Sequence, residues 1–152
     1  MLSTRSTLRC AERADTMRST EHYFEAMFAA SDDPWGFRSR WYEARKRALT
    51  LACLPHERYA SAYEPGCANG ELSAALATRC DALRVSDGTP AAVQLARERL
   101  ATFDHVEVVQ AWVPDEWPVA QFDLIVISEL GYFLSRESLD LLATKILDSL
   151  SE

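Results

Sequence analysis

The chain has 152 residues, 48% of them hydrophobic, which is enough to bury one sizeable core and leads us to expect a single domain. A net charge of -7 argues against binding a phosphate backbone, which draws on clustered Lys and Arg, so no nucleic-acid partner is expected. No apolar run approaches the roughly 20 residues that a membrane helix needs, so no membrane partner is expected either.

Residues 1–20 are rich in Ser, Thr and Arg, but Glu12 and Asp15 are out of place in a transit peptide. A disordered leader is expected there, with Met17 as an alternative start. From His22 to Ala30, Tyr23, Phe24, Met27 and Phe28 recur at helical spacing. Asp32-Asp33-Pro34-Trp35-Gly36 breaks the pattern, because proline disfavours helix in the residue before it. The period resumes over Trp41–Cys53, where Trp41, Ala44, Ala48, Leu49, Ala52 and Cys53 form an expected buried stripe. Arg38, Arg40, Arg45, Lys46 and Arg47 lie among acids and aromatics and read as a solvated face. Cys10, Cys53, Cys67 and Cys80 show neither C-x-x-C pairing nor metal-ligand spacing, as expected of reduced thiols in a cytoplasmic protein. The three histidines, His22, His56 and His105, lie in unrelated segments, and no metal is expected.

After this helical third the pattern changes. Tyr59–Tyr63 reads as a strand, Glu71–Thr78 as a helix and Ala82–Ser86 as a second strand. Thr89-Pro90 is a good helix start, with Thr89 as N-cap and proline at the first helical position. That helix carries Val93, Ala96 and Leu100 on one side. Val106–Val109 is a third, β-branched strand. Phe122–Ser128 is a fourth strand and the most apolar, as expected of one buried on both faces. A last helix over Arg136–Leu150 presents Leu139, Leu142, Ile146 and Leu150 to the sheet. Alternating strand and helix predicts an α/β fold with a parallel sheet of about four strands: helices over 21–54 and a core over 57–152, within one domain spanning 21–152.

Glu64-Pro65-Gly66-Cys67-Ala68-Asn69-Gly70 sits where the first strand meets the first helix, and Asp87 follows 17 positions after Gly70, at the end of the second strand. This layout suits a nucleoside-containing cofactor, with Asp87 placed to accept hydrogen bonds from ribose hydroxyls. A dinucleotide site would want glycine where Ala68 and Glu71 stand. Glu64, two residues before the turn, suits a cation better than a pyrophosphate. S-adenosylmethionine carries a sulfonium and an ammonium and no phosphate, so electrostatic complementarity favours it over NAD or FAD.

These residues, with Phe122–Phe133, resemble the class I S-adenosylmethionine-dependent methyltransferases. The Asp33–Lys46 segment, with its Asp33-Pro34-Trp35 and Trp41-Tyr42-Glu43 triplets, narrows the likeness to the nodulation protein S (NodS) branch. The resemblance covers roughly Tyr23–Leu150 and implies a Rossmann-like sheet under an N-terminal helical lid. It implies that Glu64, Gly66, Cys67, Ala68 and Gly70 shape the methionine pocket, that Asp87 holds the ribose with Gly88 beside it, and that Ala111 and Trp112 contact adenine. Ser128 and Glu129 would face the sulfonium and the methyl acceptor, with Glu129 orienting the amine or accepting its proton. Trp35, Tyr42 and Arg45 would belong to the lid. For Trp35, Trp41, Tyr132 and Phe133, core packing stands as an equal reading.

The implied activity is N-methylation of a small-molecule or oligosaccharide amine, in the nodulation branch the free amine of a de-N-acetylated chitooligosaccharide. The family fold continues with strands beyond the fourth, which build part of the acceptor site. A chain ending after four strands is therefore expected to carry the cofactor half and to expose an apolar sheet edge suited to self-association. The alternative expectation is a truncated, non-catalytic cofactor-binding or interaction module.

Overall fold

In a computed structural model, residues 19–151 are described; the expected leader and the Met17 start lie outside them, apart from residues 19 and 20. Helix α1 covers residues 19–30 and α2 covers Trp41–Ala52. There follow β1 (Tyr59–Pro65), α3 (Glu71–Ala77), β2 (Cys80–Asp87), α4 (Pro90–Leu100), β3 (Val106–Gln110), β4 (Leu124–Ile125), a 3-10 turn at Gly131–Phe133 and α5 (Arg136–Ser149). The four strands pair in parallel in the order β3-β2-β1-β4. This is the α/β fold with a four-stranded parallel sheet expected from the alternating pattern.

The order places β1 and β2 at the centre, and their residues dominate the core. Ala62, Tyr63, Leu83 and Val85 are essentially inaccessible, as are Leu76 of α3 and Val93 and Ala96 of α4. Tyr63 stacks on Phe122 with ring centroids 5.2 Å apart, meets Trp117 edge-on at 5.1 Å, and shares a 2.7 Å hydrogen bond with Ser86. Gly70 has φ +79°, and a Cβ there would stand 3.2 Å from the Ala96 Cα, so glycine admits both the left-handed start of α3 and the close approach of α4.

Three expectations need correction. The apolar stripe of α2 faces outward: Trp41 is 75% exposed, Leu49 is half-exposed, and Ala44, Ala48, Ala52 and Cys53 are exposed. Glu43 is the buried residue of that helix, because α2 turns it, with Lys46, Arg47 and Thr50, into the wall of a cavity. In α5, Leu142 is buried and Ile146 partly so, whereas Leu139 and Leu150 are exposed; Ser138 and Ser149 complete the inner side.

The fourth strand is shorter and less buried than its composition implies. Only Leu124–Ile125 pairs as a strand, and both residues are half-buried. Among the described residues it has β1 on one side, and the other side meets the chain only where Phe122 forms an isolated parallel bridge with Leu150. Asp123 extends the contact with β1 through its side chain, accepting the amides of Ala60 (2.7 Å) and Ser61 (2.9 Å).

Candidate functional site

The chain crosses from β3 on one flank of the sheet to β4 on the other, so the carboxyl ends of β1 and β4 flank a topological switch point, the usual ligand crevice of open α/β sheets. A cavity of about 770 Å³ opens there. Its floor is the turn after β1. Gly66 (φ +75°) and Ala68 (φ +48°) both adopt left-handed backbone, and the amides of Gly66 and Cys67 donate to the Ser86 carbonyl at 2.7 and 2.9 Å. Ala68 thus holds a conformation that glycine usually supplies.

Asp87 joins this turn to the next one. Its Oδ2 accepts the Ala68 amide at 3.0 Å and its Oδ1 the Thr89 amide at 2.9 Å. Burial raises its pKa, against the two amides that favour the charged form. The Thr89 side chain makes no cap bond; Asp87 instead holds the amide of this N-cap residue, which fixes the turn just ahead of α4.

Glu64, at the end of β1, is 3% exposed, and its Oε2 has no hydrogen-bond partner. Burial pushes its carboxyl up to about 8; Ser73 beside it pulls the other way without completing a hydrogen bond, and the charge of Asp87 adds to the rise. A buried, unpartnered acceptor in a cavity wall is costly unless something donates to it.

Aromatic rings form the opposite wall. Phe24 of α1 meets Phe133 at 4.8 Å, Trp35 at 6.1 Å and Trp112 at 6.5 Å, and Trp35 meets Phe28 at 5.5 Å. The Trp112 indole lies directly on Gly88: a Cβ at position 88 would sit 2.1 Å from the ring. Trp35 thus both packs and lines the cavity, uniting two readings that its sequence left open.

In the loop after β4, four residues past the end of a strand expected to run to Ser128, Glu129 lies at φ +55°, an uncommon conformation for glutamate. Tyr132 donates its hydroxyl to Glu129 Oε2 at 2.8 Å, and Lys46 of α2 lies 3.4 Å from Oε1 and 3.0 Å from Glu43 Oε2. Burial works against the Lys46 charge, but Glu43 and Glu129 outweigh it and raise its pKa.

Glu64, Gly66, Cys67, Ala68, Asp87, Gly88, Ala111, Trp112, Ser128, Glu129 and Trp35 all border the one cavity. Gly70 stands behind it as the helix N-cap. Tyr42 and Arg45 do not border it; both are exposed, because α2 turns its 43, 46, 47 and 50 positions inward. Lys46 and Arg47 therefore leave the expected solvated face. Asn69, Glu43 and Lys46 received no site role from the sequence, although the 43-46-50 polar spacing was visible there as helical periodicity.

Comparison with known proteins bears on this geometry. The nodulation protein S (NodS) family model matches residues 19–149. The chain belongs to the NodS family. Nodulation protein S of Bradyrhizobium diazoefficiens is 35% identical over 106 residues, which cover 69% of this chain and 51% of that protein. The chain therefore spans about half the length of the curated relatives it matches. Among solved structures, NodS N-methyltransferase from Bradyrhizobium japonicum WM9 in complex with S-adenosyl-L-homocysteine superposes with a TM-score of 0.81 at 26% identity, covering 87% of this chain and 68% of that one. A candidate methyltransferase from Pseudomonas syringae is 59% identical, with a TM-score of 0.68, covering 74% of this chain and 70% of that one.

Proposed function

We propose that this NodS-family chain binds S-adenosylmethionine and serves N-methylation of a small-molecule or oligosaccharide amine. The observation that carries the reading is Glu64, whose buried Oε2 lacks a donor at the base of a cavity that also holds Asp87 and the glycine turn. An ammonium group is the donor that such an acceptor fits. Asp87, already holding two backbone amides, keeps lone pairs for ribose hydroxyls, and Ala111 and Trp112 offer a surface for adenine. The residues present fit the cofactor.

Bound there, S-adenosylmethionine would supply a methyl group on a positively charged sulfur. The protein's part is to hold, align and desolvate. Trp35, Phe24 and Phe133 would keep water from the cofactor side. Ser128 and Glu129 belong to the acceptor side, where Glu129 would orient an amine or accept its proton. Residues 21–152 would act as one cofactor-binding unit, with 21–54 as its lid. The nodulation branch makes a de-N-acetylated chitooligosaccharide amine the leading acceptor, and the cytoplasm the expected compartment. No described helix is long and apolar enough to cross a membrane.

A second reading is a cofactor-binding or interaction module without turnover, self-associating through β4. It is favoured by the half-buried Leu124 and Ile125, which among the described residues pair with β1 alone.

Calorimetry with S-adenosyl-L-homocysteine tests the cofactor reading. Asp87→Ala is expected to weaken binding about tenfold or more, the range of hydrogen bonds to a charged group. Tyr42→Ala, on the outer side of α2, is expected to leave it within about twofold. Undiminished affinity in Asp87→Ala sinks the proposed pocket. Methyl transfer to chitosan oligomers then separates the enzyme from the non-catalytic module.

A further inference from the structure

The acceptor side of the cavity already contains an ammonium group, supplied by the protein itself. Lys46 Nζ lies between Glu43 Oε2 (3.0 Å) and Glu129 Oε1 (3.4 Å), and Tyr132 supplies a hydroxyl to the other Glu129 oxygen at 2.8 Å. All four residues border the cavity. Both Glu129 oxygens are thus engaged, one by the Lys46 ammonium and one by the Tyr132 hydroxyl, so a further cation reaches Glu129 only by replacing Lys46, which keeps Glu43 as its partner. Arg47, the neighbouring cation in the wall, is committed to the Phe37 carbonyl at 2.6 Å.

Two features mark this as a place for a ligand and not only a structural ion pair. Glu129 holds φ +55° in the loop that follows β4 at the switch point, and such strain gathers at binding sites. The Glu129 side chain is also 46% exposed, so its pairing with Lys46 is screened by water and contributes little to the fold. The Glu43 contact is the tighter of the two and holds Lys46 in place if the Glu129 contact is lost. The pair is therefore arranged to exchange partners.

We propose that Lys46 is the resident occupant of an ammonium seat formed by Glu129 and Tyr132, and that the primary ammonium of an acceptor takes that seat by displacing Lys46 onto Glu43. This deepens the methyltransferase reading by naming how its acceptor is recognised. Displacement by a matching cation makes the seat selective: a neutral hydroxyl gains too little from Glu129 to replace a full positive charge. Lys46 is thus a specificity residue, and the lid helix α2 that carries it senses whether the seat is filled.

The test uses the full chain and glucosamine at pH 6.5 as probe, with glucose as its uncharged counterpart, each with and without S-adenosyl-L-homocysteine. The sequence contains two lysines, Lys46 and Lys145, so side-chain ammonium signals in a 15N-lysine sample are few and Lys145 serves as an internal reference. Glucosamine is expected to shift the Lys46 signal and leave Lys145 unmoved, while glucose moves neither. Lys46→Met is expected to bind glucosamine about fivefold more tightly, the upper worth of an exposed ion pair. Lys46→Arg keeps the wild-type affinity, and Glu129→Gln loses binding. Equal response to glucose, an unmoved Lys46 signal, weaker binding by Lys46→Met, or no binding by any form overturns the proposal. Failure of the cofactor reading is seen separately, as absent S-adenosyl-L-homocysteine binding, because the ammonium titration is read without it.

Discussion

The side-chain amide of Asn69 donates to Asp33 Oδ1 at 3.1 Å, joining the glycine turn after β1 to the Asp33-Pro34-Trp35 turn that leads into α2. Asn69 is completely buried, and its Nδ2 also lies 3.4 Å from the Asp32 carbonyl. Asp33 in turn accepts the amides of Phe37 (2.7 Å) and Arg38 (3.0 Å). One carboxylate thus organises the turn ahead of α2 and anchors it to the turn after β1.

Breaking that joint should cost both stability and binding. Asn69→Ala removes a buried hydrogen bond to a charged group and leaves a small void, an expected loss of about 1–3 kcal/mol. Thermal unfolding checks the first effect. Calorimetry with S-adenosyl-L-homocysteine checks the second, which should be a loss of affinity, since Trp35 would no longer be held over the cavity.

Glu64 gives a pH signature of unusual sign. Its carboxyl sits at about 8 in the folded chain against an ordinary 4.5, so the folded state holds a proton that the unfolded state has released between those values. Stability is then fullest below pH 4.5 as far as this group is concerned, and falls as pH rises towards 8. The loss is on the order of a few kcal/mol. Glu64→Gln should flatten this slope in urea titrations run from pH 5 to 8.5.

The same group links cofactor binding to protons. A cation placed beside Glu64 favours the ionised carboxylate, so binding below pH 8 should release a proton and strengthen as pH rises. Calorimetry in buffers of different ionisation enthalpy measures the released proton directly. A pH-independent affinity, with no buffer dependence, would separate Glu64 from the ammonium.

Gly88 and Trp112 should behave as one unit. Gly88→Ala forces a Cβ to within 2.1 Å of the indole, so the ring must move, at an expected cost of about 1–3 kcal/mol. Combined with Trp112→Ala the second change should cost almost nothing, which a double-mutant cycle measures. Trp112→Ala alone should weaken S-adenosyl-L-homocysteine binding.

Much of the fold was legible in the sequence because its signals are local. Gly66 and Gly70 announce a turn through their backbone freedom, Thr89-Pro90 marks the start of α4, and β-branched runs mark the strands. The α2 stripe was misread because periodicity reports which residues share a face, not what that face meets. Trp41 and Leu49 share one, yet the cavity lies against Glu43 and Lys46 on another. The fourth strand was misread for a related reason: Leu124 and Ile125 are apolar enough for two-sided burial, but burial depends on neighbours that composition cannot supply.

By itself, then, the sequence determined the alternation of strand and helix, the glycine turn from Gly66 to Gly70, the acid at the end of β2 and the membership that the Asp33-Pro34-Trp35 segment signals. These rest on backbone chemistry and spacing along the chain. Only the tertiary structure decided that Asn69 clasps Asp33, that Glu64 is left without a donor, and that Lys46 sits between two carboxylates. Such relations join residues distant in sequence, and their energies depend on burial and on separations of about 3 Å, which arise only when the sheet order brings the segments together.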